Sequence, residues 1–96
     1  MFLGKRIKEL REEKGLLQRQ LAAELEIDSP MYSKIERGER RAKREQVIKL
    51  AKLFQVDENE LLTLWLAGQV LEIIEGEETG AHALELVKTK LNQNNL

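Results

Sequence analysis

Apolar residues recur along this chain at three- and four-residue intervals, the spacing of one face of an α-helix. Leu3, Ile7 and Leu10 predict a first helix, which Gly15 ends as a C-cap after Lys14. A short second helix over Gln18–Leu25 carries Leu21, Ala22 and Leu25 on one side. Asp28 or Ser29 offers an N-cap for a third, and Pro30 fits its first turn, where a missing N–H costs little. That helix runs to Arg37 and stops at Gly38. Glu39–Arg44 is polar and strongly basic, and reads as an exposed loop or a frayed helix start. Val47, Leu50, Ala51 and Phe54 make the stripe of a fourth helix. Asp57, with Glu60 three residues on, matches a capping box ahead of a fifth, Leu61–Glu75, which is apolar around much of its circumference. Gly76 and Gly80 bracket a break. Ala81–Leu91 forms a last amphipathic helix with Ala81, Leu84, Val87 (or Lys88) and Leu91 on one face, and Asn92–Leu96 is expected to fray.

Composition narrows this to one small all-α protein. Ninety-six residues build a single core, and only four aromatic residues and one proline leave little for a β-sandwich or barrel. The absence of cysteine excludes disulfides, thiol catalysis and cysteine-based zinc sites. His82 is the only histidine and cannot assemble a metal site alone. Ser29 and Ser33 have no His/Asp partners for a nucleophile system, so no enzymatic activity and no cofactor are expected. The apolar stretch Leu61–Ile74 falls short of the ~20 residues of a membrane span. With no hydrophobic leader at Met1–Lys14, a cytoplasmic location is expected.

The net charge of −1 conceals an asymmetry. Residues 1–52 carry 14 Lys or Arg against 9 Asp or Glu, whereas residues 53–96 carry 2 against 8. A cationic face for a polyanion and a separate acidic part with another task would produce this split.

The segment Gln18–Gly38 carries the functional signal. Leu21, Leu25, Ile27, Tyr32 and Ile35 are its apolar positions, and Ala22 sits where two short, steeply crossing helices leave room only for a small side chain. Tyr32 and Ile35 then turn inward. Ser29, Pro30, Ser33, Lys34 and Arg37 are left on a protruding polar face whose width suits the DNA major groove.

Gln18-Arg19-Gln20-Leu21-Ala22-Ala23-Glu24-Leu25 followed by Ser33-Lys34-Ile35-Glu36-Arg37-Gly38 resembles the phage-repressor/Cro-like helix-turn-helix (XRE) family of regulators. Ile7–Arg11 and Leu50–Val56 fit the family's first and fourth helices, so the likeness covers about residues 3–66. It implies a lambda-repressor-like five-helix bundle over residues 1–66, with a C-terminal helical extension over 67–96. Glu26 departs from the pattern, because the family usually has glycine where the turn needs a positive φ; a non-glycine there costs on the order of 1 kcal/mol.

The resemblance also assigns roles. Ser29, Pro30 and Lys34 match base-contact positions, with Met31 placed for a thymine methyl and Lys34 for guanine O6 and N7. Gln18 matches a phosphate-gripping position, and Arg40, Arg41, Lys43 and Arg44 follow where the family touches DNA backbone or minor groove; Ser33 and Arg37, on the same polar face, are expected to contact the backbone as well. Arg11 and Glu36 match a structural ion pair. Double-stranded DNA and a second copy of the chain are the expected partners, with no metal or membrane. Leu62, Trp65, Leu66, Val70, Ile73, Leu84, Val87 and Leu91 are expected at the dimer interface, because one bundle cannot cover them all. A competing reading keeps the same bundle as a protein-interaction module or antitoxin.

Overall fold

The computed structural model describes residues 2–94, and over these it is entirely helical. In chain order the helices are α1 (Phe2–Glu13), α2 (Gln18–Glu24), α3 (Ser29–Glu36), α4 (Arg44–Phe54), α5 (Glu58–Ile74) and α6 (Gly80–Asn94). Each contains the apolar positions that predicted it, except that α2 stops at Glu24 and Leu25 is its C-cap, still buried in the core. The last helix continues through Asn94, past the residues expected to fray; Asn95 and Leu96 lie outside the described residues.

Four helix ends share one device. After α1, the Leu16 amide bonds the Arg11 carbonyl at 3.0 Å and Gly15 bonds that of Glu12 at 3.0 Å, the paired bonds of a Schellman motif. The same pairing closes α2 through Glu26 and Ile27, α3 through Gly38 and Glu39, and α4 through Gln55 and Val56. The motif requires a left-handed residue. Glycine supplies it at two ends, while Glu26 and Gln55 both take φ 58°. Glu26 thus takes the positive φ expected of this turn without a glycine. Helix starts are capped less uniformly. Asp28 accepts from the Met31 amide at 2.7 Å, which settles the α3 N-cap. Asp57 caps α5 by accepting from Asn59 at 2.9 Å rather than by the expected capping box. Glu60 reaches Arg6 on α1 instead, at 3.3 Å.

The core is drawn from α1 to α5: Ile7, Leu10, Leu21, Ala22, Leu25, Tyr32, Ile35, Ala42, Val47, Leu50, Ala51, Phe54 and Leu61. Ala22 is 1% exposed, in keeping with the small side chain expected there; Ile27 only packs against the edge. The α2–α3 pair rests on α1, and α4 packs on α5. One close crossing was invisible in the sequence pattern. A Cβ at Gly4 would strike the backbone carbonyl of Glu36, so glycine sets how near α1 comes to the end of α3.

Beyond Leu61, α5 runs on unbroken to Ile74, crossing residue 66 without interruption. Described residues from Ala81 to Gln93 are all exposed, and α6 leaves Leu66, Val70 and Ile73 of α5 exposed as well. The radius of gyration, 15.3 Å, exceeds the ~12–13 Å of a compact domain of this length because of that protruding arm. At its root, a Cβ on Gly80 would come within 2.9 Å of the Ile74 carbonyl, so α6 leaves α5 through a tight backbone contact. No described helix is long and apolar enough to cross a membrane.

Candidate nucleic-acid interface

Helix α3 divides cleanly into two faces. Tyr32, Ile35 and Glu36 are buried, while Ser29, Pro30, Lys34 and Arg37 are exposed and Met31 and Ser33 half-buried beside them. Positions 29/30, 33/34 and 37 follow the helical repeat, so they form one continuous polar stripe.

The orientation of α3 is held from behind by an ion pair. Arg11 of α1 donates through Nε to Glu36 Oε2 at 2.7 Å and through Nη2 to Oε1 at 3.2 Å. Its Nη1 donates to the Leu16 carbonyl at 3.0 Å, so all three arms of the guanidinium are used. Side-chain exposure is 13% for Arg11 and 2% for Glu36. Burial opposes the Glu36 charge, but the bonds from Arg11 and Gln18 prevail and hold its pKa below the usual carboxylate value. Tyr32 lies in the same cluster, its hydroxyl sealed from solvent without a partner at hydrogen-bonding geometry among the described residues. Burial first, and then the Glu36 carboxylate, push that phenol well above its ordinary pKa.

Gln18 is where this network reaches the surface. Its Nε2 donates to Glu36 Oε1 at 3.0 Å. The side chain expected to grip phosphate is therefore anchored inward by one amide hydrogen, leaving its second N–H and its carbonyl oxygen free of that bond. The backbone start of α2 is held by the Leu17 amide donating to Gln20 Oε1 at 2.7 Å.

Beyond α3, residues 39–43 form a loop rather than a frayed helix, and Arg44 is the first residue of α4. Ala42 pins that loop. It is 3% exposed, and its carbonyl accepts from Trp65 Nε1 at 2.8 Å. With Ala42 held inward, Arg40, Arg41 and Lys43 are turned outward and exposed. The cations are not equivalent. Arg37 pairs with Glu39 at 2.8 Å and donates to Ser33 Oγ at 3.2 Å. Arg41 pairs with Glu72 of α5 at 3.1 Å, and the Arg44 guanidinium lies 5.0 Å above the Trp65 ring. Lys34, Arg40 and Lys43 have no acidic partner among the described residues.

Two residues expected at a dimer interface are engaged within the chain itself. Trp65 packs against the core and spends its N–H on Ala42, and Leu62 also packs against the core. The reason is position: both follow Leu61 within about one turn and still face the bundle. Leu66, Val70, Ile73, Leu84, Val87 and Leu91 remain exposed, Ile73 by 77%. No group of three potential metal-ligating side chains occurs among the described residues.

A helix-turn-helix family model, HTH_3, matches residues 7–61. The chain belongs to this family. It is a member of the XRE-type helix-turn-helix proteins, a family of DNA-binding regulators, and the match runs from Ile7, midway along α1, through the first turn of α5. No curated protein and no solved structure matches the chain. Sequence reasoning missed Ala42, Glu39, Glu72 and Gly4. Ala42 alone left a signal, as one apolar residue amid Glu39-Arg40-Arg41-Ala42-Lys43-Arg44-Glu45.

Proposed function

We propose that this helix-turn-helix protein is a sequence-specific transcriptional regulator that binds a (pseudo)palindromic operator as a homodimer. The observation that carries the reading is the pairing of two surfaces: the unobstructed polar stripe of α3 and the cationic loop that follows it. With α3 in the major groove, Lys34 reads guanine, Ser29 and Pro30 meet base edges, and Met31 meets a thymine methyl. Gln18, Ser33, Arg37, Arg40, Arg41, Lys43 and Arg44 contact the DNA backbone. Arg44, stacked on Trp65, approaches phosphate as a fixed charge, and Arg37 and Arg41 must exchange a carboxylate for a phosphate.

Residues 1–66 serve as the DNA-binding unit and 67–96 as the dimerisation element. Leu66, Val70, Ile73, Leu84, Val87 and Leu91 supply the interface, since soluble monomers rarely leave so large an apolar area uncovered. A two-fold interface presents two α3 helices to half-sites about one DNA turn, ~34 Å, apart. The same exposed residues also suit a partner protein, as in an antitoxin. Selection from random duplexes separates the two readings. Recovery of symmetric half-sites at one-turn spacing supports the regulator; failure to enrich any duplex refutes it and leaves the protein-interaction reading.

A further inference from the structure

We propose that Glu72 sets the affinity of the cationic loop by competing with DNA phosphate for Arg41. The inference rests on the DNA-binding reading above and extends it to a residue on α5, outside the helix-turn-helix. Glu72 follows Trp65 by seven residues, two helical turns, and so projects from the same side of α5. The geometry that brings Trp65 to the Ala42 carbonyl at 2.8 Å therefore brings Glu72 to Arg41 at 3.1 Å, 31 residues away in the chain.

Both side chains of this pair are more than half exposed, so the guanidinium is open to an incoming anion. Carboxylate and phosphate accept from the same guanidinium donors. A phosphate reaching Arg41 must displace Glu72, and the displaced carboxylate stays tethered nearby and repels it. Arg37 is held by Glu39 in a similar way, but within its own loop. Among the ion pairs of the described residues, only that of Arg41 joins the DNA-facing loop to the part of α5 that carries the proposed dimer interface. Glu72 acts by occupying Arg41, and it lowers the sequence-independent part of the affinity.

The test compares the full chain with Glu72→Gln on a random-sequence duplex at low salt. An exposed ion pair is worth up to about fivefold in an equilibrium, and a dimeric site holds two. Binding should therefore tighten about three- to tenfold, with the gain fading as salt screens the pair. In an Arg41→Ala background the same substitution should give no more than the small gain of Glu85→Gln, an equal change of charge on α6. Unchanged affinity of Glu72→Gln, or an undiminished gain without Arg41, overturns the proposal. Should neither protein bind any duplex, the DNA-binding reading falls with it; binding that is insensitive to Glu72 overturns the competition alone.

Discussion

Replacing Glu36 with alanine should destabilise the fold more than any single change on the DNA-facing surface. The carboxylate is 2% exposed and accepts two bonds from Arg11 and one from Gln18. Its removal leaves the Arg11 guanidinium, itself 13% exposed, without a counter-charge and with only the Leu16 carbonyl as acceptor. Breaking a buried pair in this way costs about 3–5 kcal/mol, a large part of the ~5–15 kcal/mol that holds a domain together. At roughly 4–8 °C per kcal/mol for a chain of this size, the midpoint should fall by more than ~10 °C. The pair also fixes the sign of the pH dependence. Glu36 has a folded pKa below its ordinary 4.5, so its contribution is complete above that value and is lost as pH falls through the folded pKa. Tyr32 has a folded pKa above its ordinary 10.0, so stability declines as pH rises beyond 10. Thermal melts by circular dichroism at neutral pH, repeated between pH 7 and 3 for both proteins and as pH is raised past 10 for the parent, test this. A midpoint within 2–3 °C of the parent would refute the reasoning, because it would mean less than ~1 kcal/mol for a charge that the structure buries.

Three further outcomes follow from the geometry. Lys34→Ala should lose about 1–3 kcal/mol on the preferred site and relax discrimination at one base pair per half-site, whereas Arg40→Ala should weaken all sequences about equally; competition titrations with single-base variants separate the two. Gly4→Ala should destabilise, since a backbone carbonyl stands where the Cβ would go and the ~1–3 kcal/mol of overpacking outweighs the ~1 kcal/mol gained in helix propensity; an unchanged or higher melting midpoint would contradict it. Sedimentation of the full chain at micromolar concentration should give a dimer, and Ile73→Asp with Leu84→Asp should give a folded monomer; a monomeric parent removes the proposed interface.

Much of the fold was legible because α1 to α4 are short, amphipathic and punctuated. Gly15 and Gly38 end helices where they should, and Leu21, Leu25, Tyr32 and Ile35 fill the core of the motif as their spacing required. Interactions between distant segments were less visible. Ala42 lies in a polar, strongly basic segment and is fixed only by Trp65 holding its carbonyl, and Glu72 meets Arg41 only because α5 carries it there. Gln18 was readable as a surface residue, but its bond to Glu36 depends on how α2 meets the end of α3. Amphipathic periodicity says which face of a helix is inward, not which neighbour it meets. For the same reason α6 was predicted as a helix, while its projection from the bundle came only from its uniform exposure.

The central claim is that α3 and its cationic loop bind duplex DNA, and the salt dependence of that binding tests it most directly. Titrating one duplex at several salt concentrations should give a linear fall of log K with log salt. A dimer neutralising ~6 phosphates through Arg37, Arg41 and their neighbours should show a slope of roughly −5. A flat dependence, or no binding even at low salt, would contradict the account.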